Sequence, residues 1–316
     1  MSDYVNMIKT GWQSFWFRPG SPLALGLCRI LFYGMLLCWF WDADFTLCTA
    51  LGKMFWSPVS FFRLLAPHGP ASIEWLTSIQ SIWKISLVAS LLGLHTRLST
   101  TVACVLGIYL IGLPYNLGKV NHQMATVCIG LVVMAVSRCG RVYSLDRLMS
   151  RRIGKMSSTT PSAEYFWPIR LMRVVICLVF FAAGLNKLRE SGLAWITSET
   201  LQMYLLQMGA PLGLWLAQWP WLCHLLAAFA IVVELFHPLA LVPSRFAIFW
   251  IPAGISLLLG IKLMMGISFL PLILVHLFWL PWGFLAAKES SKQQAVRPQG
   301  ESRRSAIGAL TAPVQD

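Results

Sequence analysis

The sequence predicts an all-α protein that crosses a membrane several times, and its composition and apolar patterning support this fold class. Hydrophobic residues make up 57% of the 316 residues and charged residues only 12%, about half of the roughly 25% typical of soluble domains. The mean hydropathy is +0.66, and the apolar stretches reach the length of about 20 residues that a membrane-crossing helix needs. This composition excludes a disordered chain, a disulfide-rich scaffold and an ordinary soluble enzyme.

Eight apolar stretches are predicted to cross the membrane as a polytopic transmembrane helical bundle. They comprise residues 21–41, 77–94, 98–115, 120–137, 168–186, 219–242, 246–262 and 267–287. The apolar residues in them run continuously and do not alternate with polar ones over about ten residues, as strands of a transmembrane barrel would.

The basic residues predict the orientation of this bundle. With the N-terminus in the cytoplasm, 15 of the 25 lysines and arginines fall on the inner side and six on the outer side. The positive-inside rule therefore predicts that both termini are cytoplasmic. This distribution also accounts for the net charge of +13 by contact with membrane lipid, so no nucleic acid partner is expected. The N-terminal segment has no transit-peptide pattern, which favours a bacterial inner membrane over an organelle.

Three domains are expected along the chain. Residues 1–20 form an interfacial N-terminal arm, in which Trp12 and Trp16 belong either to a short amphipathic helix or to an aromatic belt before the first span. Residues 21–287 form the transmembrane domain, and residues 288–316 form a polar, disordered cytoplasmic tail.

Two segments between the spans are too apolar for free loops. Residues 42–76 contain tryptophan, phenylalanine and leucine, residues 188–218 contain tryptophan, tyrosine, methionine and leucine, and both segments are assigned to the outer side. Irregular backbone at membrane depth is tolerated only where it is buried in protein or lines a cavity. We therefore expect interfacial or re-entrant elements on the outer side, which together would cover a pocket.

Ionisable residues inside the spans are candidates for function because each is costly in lipid. Glu234 is the only carboxylate well inside a span, and it either pairs with Arg29, Arg173 or Lys84 in a structural role or takes part in chemistry. Arg29 lies in the first span and is interpreted as a structural charge that reaches toward the cytoplasm.

Lys187 and His122 are the candidate catalytic residues, and both lie at the predicted outer boundary. A lysine in this position usually reaches for the head groups. Alternatively, the small residues at 182–184 allow close helix approach and hold the amine in a dry pocket where it can act as a base. An interfacial histidine such as His122 is commonly a hydrogen-bonded packing residue, but together with Lys187 it defines a candidate site.

A metal site is not expected. The eight cysteines contain no Cys-x-x-Cys pair, and no two histidines have metal-binding spacing. Most of the cysteines lie within apolar stretches and are interpreted as small packing residues.

Four short segments, in their order and spacing, resemble a known family. They read SPLALGLCR at 21–29, NH at 121–122, SRCGRVYSLD at 137–146 and AAGLNKL at 182–188, the last followed by Trp195. They are similar to segments of the horizontally transferred transmembrane (HTTM) domain family, which includes vitamin K-dependent gamma-glutamyl carboxylase. The resemblance covers residues 21 to about 285.

The resemblance implies an enzyme that uses O2 to oxidise reduced vitamin K or menaquinone to an epoxide. The strong base formed in this way removes a glutamate γ-proton from a protein or peptide substrate before CO2 adds. Lys187 corresponds to the second lysine of the carboxylase Lys-Lys pair and would deprotonate the quinol. His122 would stabilise the charged intermediate, while Asn121 and Asn186 would lie beside the substrate.

The chain also departs from the carboxylase pattern. Asn186 replaces the first lysine of the pair, and residues 252–256 lack the late histidine of the carboxylase. The sequence continues only briefly beyond the membrane domain. The resemblance is therefore also compatible with quinone chemistry that does not lead to glutamate carboxylation.

Two functions from different classes remain open at this stage. One is a carboxylase-like membrane enzyme, and the other is a non-catalytic membrane protein that binds lipid, quinone or peptide or acts as an export or immunity partner. A transporter is disfavoured because the spans contain few carboxylates and the sequence shows no internal repeat.

Overall fold

The computed structural model describes residues 2–50, 53–118, 123–154, 160–242 and 245–280. In these residues the fold is all-helical, as predicted, without strands. The helices, in chain order, are α1 (Ser2–Trp16), α2 (Pro22–Phe40), α3 (Phe62–Leu65), α4 (Ile73–Leu92), α5 (Thr96–Gly112), α6 (Gln123–Val136), α7 (Leu145–Arg152), α8 (Ala163–Ser191), α9 (Ala194–Thr197), α10 (Thr200–Met208), α11 (Pro211–Leu216), α12 (Pro220–Phe236), α13 (Arg245–Met265) and α14 (Leu270–Leu274).

Six helical segments of the described chain are long and apolar enough to cross a membrane. They are Pro22–Phe40, Ile73–Leu92, Thr96–Leu117, Ala163–Ser191, Pro220–Leu241 and Arg245–Met265. The predicted fourth and eighth spans correspond to the shorter apolar helices Gln123–Val136 and Leu270–Trp279. The chain is therefore an integral membrane protein with six candidate spans, and the predicted number of eight is not confirmed.

The boundaries of the helices follow from local sequence signals. Ser21 caps α2 by accepting a hydrogen bond from the Leu23 amide, and Pro22 occupies the first helical position. Helix α4 ends at Gly93, which has a left-handed conformation (φ +68°) that glycine adopts without steric cost.

Helix α8 is longer than the predicted span 168–186. It runs from Ala163 to Ser191, so residues 188–191 extend it beyond the predicted span. Gly192, which has a positive φ of +59°, ends the helix. Lys187 therefore lies about one turn inside a helix, rather than at its end as predicted.

The helices pack into one bundle in which α4 contacts both α2 and α5, and α8 contacts α2, α6 and α12. Trp83 of α4 is fully buried, and its indole nitrogen donates a hydrogen bond to the Ala103 carbonyl of α5. Large apolar side chains such as Ile85, Val105 and Leu178 are exposed on the outside of the bundle. Apolar side chains outside and paired polar groups inside are the arrangement that a lipid solvent requires.

The N-terminal arm is helical, and the two apolar segments between the spans contain short helices. Residues 2–16 of the arm form α1, whose Phe15 ring lies 3.8 Å from the Arg170 guanidinium of α8. The segment 42–76 contains α3 and two 3-10 turns, and the segment 188–218 contains α9, α10 and α11. The predicted tail at 288–316 lies outside the described residues.

Candidate functional site

Lys187 of α8 forms an ion pair with Glu234 of α12, and the ammonium donates a hydrogen bond to Oε1 of the carboxylate. The Lys187 side chain is 24% exposed, whereas the Glu234 side chain is 7% exposed. The pair joins two apolar helices within the predicted membrane region. One of its members remains reachable from outside the bundle.

Close contact between α8 and α12 makes this pair possible, and Gly184 permits that contact. A Cβ atom at Gly184 would lie 2.9 Å from Cβ of Glu234, which is closer than two such atoms can approach. The prediction that small residues allow close helix approach is thus confirmed for Gly184. Ala182 and Ala183, in contrast, are exposed and do not contribute to it.

An aromatic ring covers the amine on a further side. The Trp195 ring centre, in α9, lies 5.4 Å from Nζ of Lys187, within the range of a cation–π interaction. Tyr204 of α10 packs against Trp195, with 6.0 Å between ring centres. The apolar segment after α8 therefore contributes directly to the surroundings of Lys187.

The prediction that Glu234 pairs with Arg29, Arg173 or Lys84 was wrong, because all three basic side chains bind other groups. Arg29 donates to the carbonyls of Ser90 and Tyr143, Arg173 to that of Phe278, and Lys84 to that of Trp41. Each basic group thus binds backbone oxygen. The second carboxylate oxygen of Glu234, Oε2, is buried and has no hydrogen-bond partner among the described residues.

The remaining predicted site residues are not brought to this pair in the described structure. Asn186 is exposed and donates a hydrogen bond to Glu190 of its own helix. Asn121 and His122 lie outside the described residues. Their predicted roles remain predictions.

Two further histidines lie near Glu234 in the interior of the bundle, and the sequence did not single them out. His237 is fully buried, stacks on Phe180 with 4.0 Å between ring centres, and has His276 at 5.8 Å. Both ring nitrogens of His237, and Nε2 of His276, have no partner among the described residues. The Glu-x-x-His spacing of Glu234 and His237 was the available signal, since residues three apart share a helix face.

The His237 ring packs against Gly254, in the stretch 252–256. A Cβ atom at Gly254 would lie 2.5 Å from Cε1 of His237. The stretch 252–256 therefore has no histidine of its own but receives the ring of His237 from the end of α12.

Arg29 is fully buried, and its guanidinium reaches the end of the bundle where α4 ends and α7 begins, which is the predicted cytoplasmic side. Its Nη1 donates to the Ser90 carbonyl (3.1 Å) and Nη2 to the Tyr143 carbonyl (2.5 Å). The Ser90 carbonyl belongs to the last turn of α4, where a cation is favoured by the helix dipole. A side chain at Gly93 would overlap the guanidinium, since its Cβ would lie 2.0 Å from Nη1.

Asp146 completes this structural end of the bundle. Its carboxylate accepts hydrogen bonds from the His95 amide and from the amide and hydroxyl of Thr96, all at 2.7 Å, and so caps the start of α5. Burial opposes ionisation, but these hydrogen bonds outweigh it and hold the pKa of Asp146 below its ordinary value. The segments 21–29 and 137–146 therefore meet in one structural junction.

No group of three or more histidine, cysteine or acidic residues able to hold a metal is present in the described ranges. The described cysteines are all free thiols.

The fold and these contacts define a polytopic helical membrane protein with a buried lysine–glutamate pair. Within that class the sequence matches the model of the HTTM domain over residues 17–284. This match covers most of the chain, so the protein belongs to the HTTM family. No curated protein and no solved structure matches it.

Proposed function

We propose that the protein is a gamma-carboxylase-like membrane enzyme in which Lys187 and Glu234 together act as the acid–base unit. The observation that carries this proposal is the ion pair between the buried Glu234 carboxylate and Lys187, whose side chain is 24% exposed. Lysines and carboxylates in apolar surroundings are the groups that enzymes use for proton transfer.

The surroundings of the pair fit a reduced naphthoquinone. Oε2 of Glu234 is a buried acceptor without a hydrogen-bond partner among the described residues, and a phenolic hydroxyl would donate to it. The exposed fraction of Lys187 leaves a route for such a hydroxyl to its amine. The Trp195 ring beside the amine would supply an apolar surface for an aromatic ligand.

The roles of the residues follow from charge balance. When bound, the quinol would supply the reducing electrons with which O2 yields an epoxide and a strong base. Glu234 would first take a proton from the Lys187 ammonium, which leaves both groups neutral, and the Lys187 amine would then receive the quinol proton. The positive charge gained by the pair would be balanced by the quinolate anion. His122 would stabilise developing charge, and Asn121 and Asn186 would position substrate, on the basis of the resemblance alone.

The proposal also includes the orientation of the site in the membrane and the substrate of the carboxylation step. In this proposal the protein lies in a bacterial inner membrane with both termini in the cytoplasm, and Lys187 faces the outer side. A protein or peptide would then lose a γ-proton to the base and accept CO2 in its place. Quinol oxidation is the half-reaction that can be tested without knowledge of this acceptor.

The test is anaerobic titration of the purified, detergent-solubilised protein with reduced menaquinone, followed by O2 and an assay for epoxide. We expect epoxide from the wild type and from Lys84→Ala, which removes another intramembrane lysine, and none from Lys187→Ala. Quinol binding without epoxide in the wild type, or equal epoxide from Lys187→Ala, would contradict the proposal.

One observation favours a second function, a non-catalytic membrane protein. The Lys187 amine is already held by Glu234 and by the Trp195 ring, an arrangement that also serves to fasten α8 to α12. In that case the protein binds lipid, quinone or peptide, or acts as an export or immunity partner. Full biological activity in Lys187→Ala would support this function.

A further inference from the structure

Four buried polar atoms near the lysine–glutamate pair have no hydrogen-bond partner among the described residues. They are Oε2 of Glu234, both ring nitrogens of His237 and Nε2 of His276. The three residues are 5%, 0% and 4% exposed, respectively, so water outside the bundle does not reach these atoms. Buried polar atoms without partners are rare and costly, and four of them in one place are therefore a candidate functional feature.

Helix geometry brings the atoms of Glu234 and His237 close to each other. His237 follows α12 with helical backbone angles (φ −53°, ψ −35°), and side chains three residues apart lie on one helix face, with about 5–6 Å between their Cβ atoms. The ring centre of His276 lies 5.8 Å from that of His237. Glu234, His237 and His276 therefore form one polar cluster.

One contact shows which atoms of the polar cluster carry hydrogen. Nδ1 of His276 lies 2.8 Å from the Leu272 carbonyl oxygen, which only accepts, so Nδ1 is the donor and Nε2 of the neutral ring is an acceptor. A neutral His237 ring has one donor and one acceptor nitrogen, and the Glu234 carboxylate only accepts. The four atoms without partners are therefore three acceptors and a single donor.

One additional proton balances the polar cluster. With this proton on His237, both ring nitrogens are donors, one for Oε2 of Glu234 and the other for Nε2 of His276. Two donors then face two acceptors. The imidazolium is also paired with the Glu234 carboxylate, as the burial of a charge requires.

We propose that His237 receives the proton of the Lys187 ammonium by way of the Glu234 carboxylate. An N–H bond of Lys187 breaks, a carboxylate oxygen carries the proton in passing, and an N–H bond forms on His237. Ammonium, carboxylate and neutral imidazole become amine, carboxylate and imidazolium, so the net charge stays zero and no electrons are transferred.

This step would make Lys187 a free base before the quinol proton arrives, and in this respect the inference rests on the proposed function. His237 is a positioning residue, since it acts on a substrate only through Lys187. Phe180, which stacks on the ring with 4.0 Å between ring centres, holds His237 in place.

The test is the rate at which an amine-reactive ester acylates Lys187 at neutral pH. It is measured on the full-length protein in detergent, by mass spectrometry after digestion, relative to Lys84 of the same molecule. Only the free amine reacts, and the reagent can reach Lys187 because its side chain is 24% exposed.

We expect the relative rate to fall about tenfold in both His237→Phe and His237→Gln, because loss of a charged partner shifts a proton equilibrium by at least about this factor. The control His68→Gln makes the same change at an exposed histidine and should leave the rate unchanged. If His237→Phe does not fold, His276→Phe takes its place, since it removes the acceptor of the protonated ring and should also lower the rate.

An unchanged rate in His237→Phe would overturn the proposal. So would a wild-type rate in His237→Gln beside a lowered rate in His237→Phe, because an amide forms hydrogen bonds but does not take up a proton; that result would assign His237 to binding an internal water molecule. The measurement needs neither quinol nor O2, so its failure is distinct from absence of epoxide, which would contradict the proposed function.

Discussion

Arg29 and Asp146 show how single charged residues in this protein serve the backbone. The Arg29 guanidinium binds two carbonyl groups at the end of α4 and before α7, and Asp146 binds amide groups at the start of α5. Hydrogen bonds with a charged partner contribute about 1.5–3 kcal/mol each. The two residues therefore fasten three helix ends at one side of the bundle.

The capping role of Asp146 predicts a pH-dependent stability difference between the wild type and Asp146→Asn. Because the pKa of Asp146 is lower in the folded protein, its stabilisation is present above the ordinary pKa of about 4 and is lost as the pH falls through the lower value. We expect Asp146→Asn to cost about 1 kcal/mol at neutral pH and the difference to shrink in acid. Thermal unfolding followed by tryptophan fluorescence measures it.

Asp42→Asn is the control for this experiment, since Asp42 is an exposed aspartate. It should change the unfolding midpoint little at any pH. A difference between the wild type and Asp146→Asn that stays constant from neutral pH into acid would contradict the capping role.

At the residue scale, the sequence identified the important charged residues but not the groups that they bind. Lys187, Glu234 and Arg29 stand out because a charge in an apolar stretch is rare, and all three are engaged in the structure. Lys187 and Glu234 are 47 residues apart, however, and no periodicity links positions on two helices. Their pairing depends on the packing of α8 against α12, which a single sequence does not specify.

At the element scale, the contact between α8 and α12 is the feature on which the site depends. Gly184 faces Glu234 and Leu235 across this contact, and the same face of α8 presents Phe180 to His237 and Lys187 to Glu234. These three positions of α8 follow the spacing of one helix face. This pair of helices therefore places Lys187, Glu234 and His237 together, while His276 comes from the 3-10 turn Val275–Trp279.

Gly184→Ala is predicted to separate these helices. The added Cβ would lie 2.9 Å from Cβ of Glu234, an atom close to the backbone that has little freedom to move. We expect a loss of about 1–3 kcal/mol, as for other overpacked contacts. The measurement is the thermal midpoint from a thiol-reactive dye, which reports exposure of the buried cysteines.

Gly34→Ala is the matched control, because a Cβ there would lie 3.7 Å from the Leu91 side chain, an ordinary contact. Replacement of a glycine inside a helix by alanine at such a site is neutral or stabilising. Equal midpoints for the two variants would show that the contact between α8 and α12 has room to adapt.

The helices themselves were largely predictable, and the misses have physical reasons. Apolar length identifies a span directly, so six predicted stretches correspond to long helices. The predicted fourth and eighth spans include residues 120–122 and 281–287, which lie outside the described residues, and their described parts form the shorter apolar helices Gln123–Val136 and Leu270–Trp279. Within the eighth, the regular helix α14 gives way to a 3-10 turn at Val275–Trp279. The end of α8 was misplaced because its last turn is polar but still helical.

At the scale of the whole molecule, the fold separates a structural end from a candidate reactive region. The junction of Arg29 and Asp146 fixes one end of the bundle, while Lys187, Glu234 and Trp195 combine a spanning helix pair with the apolar segment after α8. Fold class and family membership follow from composition and short motifs. The buried histidines His237 and His276 did not, because only the tertiary structure brings them together.

The central claim is that the lysine–glutamate pair has a chemical role beyond holding two helices together. Lys187→Met leaves the buried Glu234 carboxylate without its cation and should be destabilised by about 3–5 kcal/mol. Glu234→Leu leaves a lysine whose side chain is 24% exposed and should cost less. The double variant replaces both charges by apolar groups, which is often neutral for stability.

The most direct test is therefore epoxide formation from reduced menaquinone and O2 by the double variant, measured beside its thermal midpoint. We expect a midpoint near that of the wild type and no epoxide, because the bundle is restored but the proton acceptor is absent. Epoxide at the wild-type level from the stable double variant would contradict the claim and assign the pair a purely structural role.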